Sequence, residues 1–273
     1  MKVRIVYPYP MLILECENDY KRYLVVSDLH IGFESSFNAK GIRLDNSYMQ
    51  EMLNDIISIF HRQECTDLVL LGDIKDSIGK VSRTEWLNLP HFFAELLKHI
   101  NSSNIHIIKG NHDSSIDKLL PTDIRYASKN MLILDDTLLF HGHTMPRLRL
   151  DRLKRIVMGH VHPILLKKGS IIHGERVWVI IKVRVNSEKC NGDNINNSNY
   201  YTSYDHNIID IIVMPSFNRY ITAIKNRSKR AVPLFRRLIC NNSKNNIVKA
   251  AILTLNGSII GDENSLNYVI SDY

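Results

Sequence analysis

The chain lacks the features that would place it in a membrane, in an oxidising compartment or in a cysteine-held metal fold. No apolar run approaches the ~20 residues that cross a bilayer. The four cysteines, Cys16, Cys65, Cys190 and Cys240, lie far apart and form no CxxC pair. That spacing argues against a thiolate zinc site and against a disulfide framework. The first residues, MKVRIVYPYPMLILEC, include basic side chains, but prolines interrupt their apolar part. They do not read as a secretory leader. The expectation is a reduced, cytoplasmic setting with no membrane partner. A surplus of acidic residues is also missing. Lysine and arginine outnumber aspartate and glutamate 35 to 28, giving a formal charge of +7. A polyanionic partner is therefore permitted but not required.

What is present is ordinary material for a large core: 273 residues, 44% of them hydrophobic. In the first third, strand and helix signals alternate. RYLVVS (22–27), DLVLL (67–71) and IHII (105–108) are short apolar runs that read as buried strands. Between them, Tyr48, Met52, Leu53, Ile56, Ile57 and Phe60 recur at helical spacing, behind a possible cap at Asp45, Asn46 or Ser47. A second helix is expected over Pro90–Ile100, with the proline in its first turn. This order argues for a layered α/β sheet.

Further along, strands follow one another without helices. NMLILDDTLLFHG reads as two strands around Asp135 and Asp136, and RIVMG, GERVWVIIKVRV and NIIDIIVMP as three more. The N-terminal residues resemble another strand pair. A second, mostly antiparallel set of strands is expected to pack on the first sheet. Residues 186–207, rich in asparagine and serine, read as an exposed or disordered insertion. No repeat or domain boundary is visible, so residues 1–273 are expected to form a single domain.

The chemistry gathers at strand ends. LVVSDLH ends in Asp28 and His30, LVLLGD in Asp73, and IHIIKGNHD in Asn111, His112 and Asp113. TLLFHGH ends in His141 and His143, and RIVMGHVH in His160 and His162. Five apolar strands run straight into Asp, Asn or His, three of them with glycine placed before the polar group. Strand C-terminal ends are where sites assemble in α/β sheets, and glycine allows a sharp turn and close approach. Carboxylate, amide oxygen and imidazole together suit divalent first-row ions. On an extended backbone His160 and His162 would project the same way, about 6.5–7 Å apart. That is wide for one ion but suits two ions about 3.5–4 Å apart.

The ordered set D-x-H, G-D, G-N-H-D, H-G-H and G-H-x-H, from Asp28 to His162, resembles the calcineurin-like metallophosphoesterase superfamily. SDLHIGFE, GHVHP and the later MPSFN are similar to its ICC-like subgroup, found in archaea and beside DNA ligase and helicase genes in bacteria. The resemblance implies a four-layer α-β-β-α sandwich of two packed mixed sheets. It also implies two divalent metal ions, Mn in the first place, with Fe, Zn, Ni or Mg as alternatives. Asp28, His30, Asp73 and His162 would hold the first ion. Asp73, Asn111, His141 and His160 would hold the second, with Asp73 bridging. His143 stands beside His141 as a second-shell group or an alternative ligand. A metal-bridging hydroxide would attack phosphorus, preferably in a phosphodiester. His112 would stabilise the transition state or protonate the leaving oxygen, and Asp113 would hold the His112 ring. Glu34 and Asp76, near the motifs, read as cap or surface residues.

Two basic runs, residues 147–155 and 225–237, are candidates for nucleic-acid contact, so the substrate branches into nucleic acid and small phosphate esters. The alternative is a non-catalytic scaffold on the same fold. Its discriminator is ligand integrity, and every expected metal-binding position is filled.

Overall fold

The computed structural model of the protein describes residues 1–16, 20–38, 41, 47–124, 128–144, 153–185, 207–221 and 247–269. Two sheets dominate it. The first has six strands in sequence order: β1 (Lys2–Val6), β2 (Met11–Glu15), β3 (Arg22–Val26), β4 (Asp67–Leu71), β5 (Ile105–Ile108) and β6 (Ser128–Lys129). Its first two pairings are antiparallel and the rest parallel. The parallel run uses helices as crossovers, α2 (Ser47–Arg62) between β3 and β4 and α3 (Arg83–Leu97) between β4 and β5. A five-residue helix, α1 (Glu34–Asn38), precedes them.

The second sheet takes β7 (Met131–Leu134), β8 (Thr137–Phe140), β9 (Arg155–Met158), β10 (Val177–Val185), β11 (Asn207–Val213), β12 (Ile247–Thr254) and β13 (Ile259–Gly261). Its spatial order is β13-β12-β10-β11-β9-β8-β7. Only β8–β9 and β9–β11 pair in parallel, so the expected antiparallel character holds.

The two-residue period of a strand sorts the core into layers. In β3, Leu24 and Val26 face the helices, while Tyr23 and Val25 face the second sheet. In β4, Leu68 and Leu70 face the helices, and Val69 and Leu71 the second sheet. The second sheet answers with Leu139, Val157, Trp178, Ile212 and Leu253 on its inner face. Its outer face buries Phe140, Met158, Val179 and Ile211, covered among the described residues by a 3₁₀ segment (Glu263–Tyr268) that contributes Leu266. Burial on both faces explains why these strands read as unbroken apolar runs.

The helix after β4 begins earlier than expected. It starts at Arg83, not Pro90, and Pro90 lies inside it. Ser82 and Glu85 form a capping box that sets this start. Pro90 is tolerated because it faces solvent, where the carbonyl one turn back can bond water, while Leu89, Phe92, Phe93 and Leu96 face the core. The expected insertion at residues 186–207 lies outside the described residues, apart from the start of β11 at Asn207.

Replacing the cap Ser82 by alanine should cost about 1 kcal/mol of stability. A urea melt checks this, and an unchanged midpoint would show that the Ser82 side chain does not stabilise α3.

Candidate metal centre

The parallel strands β3, β4 and β5 end at one edge of the first sheet, and β8 and β9 of the second sheet end against them. Backbone bonds lock the five ends together. Asp28 N donates to the Gly72 carbonyl at 3.1 Å and His30 N to the Asp73 carbonyl at 2.8 Å. Gly159 N donates to the His141 carbonyl at 3.1 Å. The His160 amide reaches across to the Asp28 carboxylate, 3.2 Å from each oxygen.

The side chains then converge. Asp73 Oδ2 lies 3.2 Å from His141 Nε2, 3.6 Å from His30 Nε2 and 3.8 Å from His112 Nε2. Asp28 Oδ1 lies 2.9 Å from His162 Nε2 and 3.8 Å from His141 Nε2. Among the described residues three groups offer ligand atoms within 4.8 Å of one another: Asp28, His30, Asp73 and His162; His30, Asp76 and His112; and Asp73, His141 and His160. Asp73 belongs to the first and the last. The expected ligand histidines and carboxylates are thus brought to one place, and His141, fully buried, stands nearer the carboxylates than the half-buried His143, whose ring centre is 5.6 Å from that of His141.

His160 and His162 do not share a face through an extended backbone. Both take left-handed φ angles, +68° and +47°, and Val161 N turns back onto the Gly159 carbonyl at 2.8 Å. Asp28, His30 and Asp73 are also left-handed. Such backbone is costly for residues other than glycine, by order 1–3 kcal/mol each, and persists where surrounding structure over-determines it. Asp and His tolerate it better than most.

Space is equally constrained. A Cβ on Gly159 would sit 1.9 Å from Ser27 Oγ and 2.5 Å from Asp28 Oδ2, and one on Gly110 2.2 Å from Asp73 Oδ1. Glycine is required because these loops press directly on the carboxylates.

Neighbouring acceptors fix the histidine tautomers. A carbonyl only accepts, so His141 Nδ1 must donate to Leu71 O at 3.0 Å, and His112 Nδ1 to Asp76 O. When neutral, each ring then presents the Nε2 lone pair to the centre, the arrangement found behind metal-bound imidazoles. His30 Nδ1 lies 3.1 Å from the Asp76 carboxylate.

Charge follows from burial and contact. Burial alone would raise the Asp28 carboxyl, but His162 and His141 outweigh it and hold it well below the usual range. His141, His30 and His112 do the same for Asp73. Burial would lower His141, yet Asp73 and Asp28 push it up to about 10. Burial, with His141 adding, drops His160 to about 3.

Asp113 does not hold the His112 ring, contrary to expectation. Its oxygens accept from the amides of Ile74 (2.9 Å), Lys75 (3.1 Å) and Gly110 (2.8 Å), which ties the β4 loop to the β5 loop. Burial and the charge of Asp73 raise its carboxyl to about 6. The residue at Nδ1 of both His30 and His112 is Asp76, read from sequence as a cap or surface group. Behind it stands buried Glu85, which accepts from the amides of Asp76 (3.0 Å), Ser77 (2.7 Å) and Ser82 (2.6 Å). The capping-box spacing from Ser82 to Glu85 was the sequence signal for this anchor. The MPSFN segment closes the other side. Phe217 N donates to Ser27 O, Asn218 N to Asp28 O, and Asn218 Nδ2 to Leu29 O.

The donor set fits divalent ions. Among the described residues the buried Asn111 Oδ1 has no hydrogen-bond partner, although an amide oxygen with two lone pairs is costly to bury unused. Imidazole, carboxylate and amide oxygen without thiolate suit Mn, Fe or Zn. The basic runs give little to place beside this centre. Residues 225–237 lie wholly outside the described residues, as do all of 147–155 except Leu153, Lys154 and Arg155.

A family model described as calcineurin-like phosphoesterase matches residues 21–187. An uncharacterized metallophosphoesterase-like protein, YydB of Bacillus subtilis, is 32% identical over 101 residues, 35% of this chain and 18% of that protein. The match thus spans under a fifth of that relative's length. Among solved structures, the nuclease MPE of Pseudomonas putida aligns with TM-score 0.44 and 15% identity, over 76% of this chain and 87% of that one. The Escherichia coli phosphoesterase Yfce aligns with TM-score 0.37 and 14% identity, over 88% and 97%.

Gly159→Ala should displace Ser27 and the Asp28 carboxylate while leaving the sheets folded. The expected result is a native far-UV circular dichroism spectrum with metal affinity lowered at least tenfold. Wild-type affinity would show that the loop yields instead.

Proposed function

The chain belongs to the calcineurin-like phosphoesterase family, and from that premise we propose that it hydrolyses phosphate esters, phosphodiesters in preference, with two divalent metal ions. The carrying observation is the shared carboxylate. Among the described residues, Asp73 is the carboxylate common to the group that holds Asp28, His30 and His162 and the group that holds His141 and His160. In this reading Asp28, His30, Asp73 and His162 hold one ion, and Asp73, Asn111, His141 and His160 the other. Two dications held close repel strongly, so a negative group between them is needed. When bound, such ions supply a nucleophile at neutral pH and polarise the phosphoryl oxygens.

The protein's own groups do the rest. Asp76 and Leu71 hold the rings of His30 and His141 so that Nε2 faces inward. His112 is the proton donor to the leaving oxygen. Its Nδ1 hydrogen is committed to the Asp76 carbonyl, so Nε2 donates only when the ring is protonated. Asp76 is therefore the residue that positions His112, while Asp113 keeps the two loops at their spacing. The diester preference rests on the net charge of +7 and the basic runs at 147–155 and 225–237, which would hold a second phosphate substituent or a nucleic acid. Assignment to the ICC-like subgroup rests on SDLHIGFE, GHVHP and MPSFN, and Asn218 of the last supports the loop carrying Asp28 to His30.

Asp73→Asn should disturb both ions at once. Elemental analysis showing two fully bound ions in that variant would remove the bridging role. Metal loading should also release a proton. His141 is held protonated up to about pH 10 in the metal-free protein, whereas His160 is already neutral above about pH 3. Because the ion competes with that proton, affinity should rise with pH across the neutral range. Calorimetry in buffers of different ionisation enthalpy would read net proton release at pH 7 that is smaller in His141→Ala, and an equal release in both proteins would contradict the role of His141.

His112→Ala should keep both ions. It should lose about 10²–10⁴-fold on alkyl or nucleotide esters, whose alkoxides need a proton, and far less on nitrophenyl esters. An equal loss on both would assign His112 to the non-bridging oxygens instead.

A further inference from the structure

The other end of the molecule carries a second group of metal-ligating side chains. α2 and α3 lie side by side on the same face of the first sheet, sharing one apolar cluster with β3, β4 and β5. Both are crossovers between parallel strands, so they run in the same direction. Their C-terminal ends lie at the strand starts, opposite the edge that carries Asp28 and Asp73. The five-residue strand β4 alone separates the two edges by roughly 16 Å.

At those ends, exposed His61 lies in the last turn of α2 and exposed His99 follows the Lys98 cap of α3. His61 Nε2 lies 3.4 Å from His99 Nδ1, and the ring centres are 5.5 Å apart with planes inclined by 68°. Two nitrogen ligands of one tetrahedral ion, with bonds of about 2.0–2.1 Å, stand roughly 3.3–3.4 Å apart. The pair already has that separation.

Three features favour a cation there. Each helix places the negative end of its dipole at its C-terminus, and two such ends meet at the pair. Both backbones are fixed, Glu64 N bonding His61 O at 3.0 Å and His99 N bonding Leu96 O at 3.0 Å. Glu95, one turn before His99, is close enough for the two to interact electrostatically and carries a carboxylate now paired with Lys98 Nζ at 2.6 Å. That exposed ion pair costs little to break, and water completes the coordination where Glu95 does not reach the ion.

We propose that His61 and His99 form a second, inter-helical site for a zinc-class divalent cation, with Glu95 or water completing the coordination. The imidazole donors select Zn, Ni or Cu(II) over Mg or Ca. The ion would clip the ends of α2 and α3 together without touching the catalytic edge.

The test is equilibrium dialysis of the full chain against Zn²⁺, with His61→Gln and His99→Ala as comparison proteins. Both positions are exposed, so both variants should fold. Wild type should bind one ion per chain more than either variant, and zinc should raise the wild-type melting temperature beyond its effect on them. Phosphate-ester hydrolysis with Mn²⁺ should be the same in all three. An equal ion count in wild type and both variants would overturn the site, as would a zinc-dependent melting shift of the same size in all three proteins. Because the readout is ion count, this outcome is independent of whether the chain is a phosphoesterase.

Discussion

Asp28 and Asp73 are two carboxylates with almost no contact with solvent, side by side in the interior. An isolated buried anion costs several kcal/mol after relaxation. Burying two demands compensating positive or donor groups in a very small volume. Much of the local structure answers that demand. His162 and His141 reach Asp28, three imidazoles surround Asp73, and the amides of His160 and His112 point at the carboxylates through space that only glycine neighbours leave open. The left-handed turns at the strand ends are how the backbone delivers so many donors from five strands.

The centre is a junction between sheets, not a pocket in one of them. Ser27 and Gly159 meet edge to edge, Gly159 N bonds the His141 carbonyl, and His141 Nδ1 bonds back to Leu71 of the first sheet. Its outer supports come from unrelated parts of the chain: Glu85 from the first turn of α3 and Asn218 from beyond β11. The supports act on loops and the loops on ligands, so the chemistry depends on residues that would never touch a substrate.

Much of this was legible in the sequence because burial and chemistry change abruptly at each strand end. LVVSDLH or LVLLGD records that change directly, and the strands at 67–71 and 105–108 have the bounds read from it. What stayed hidden depends on tertiary contact. Pro90 looked like a helix start because proline favours first turns, yet the Ser82–Glu85 box and a solvent-facing position let the helix run past it. Asp113 looked like a partner for its neighbour His112. Three amides from two loops claimed it instead, and no local pattern encodes that. Asp76 had an ordinary loop context, and its value came only from where His30 and His112 lie in space.

The contact from Asn218 to the Leu29 carbonyl joins residues 189 positions apart. In stability this distance matters little, since each doubling of a loop costs only about 0.6 kcal/mol in closure entropy. In time it matters more. At ~5–20 residues per second, the ribosome needs roughly 10–40 s to reach Asn218 after Leu29 has emerged. Throughout that interval Asp28, His30 and later Asp73 exist without the segment that braces them and without His162, which follows Asp28 by 134 positions. The nascent chain therefore carries a half-built set of oxygen and nitrogen donors through the surrounding ion pool.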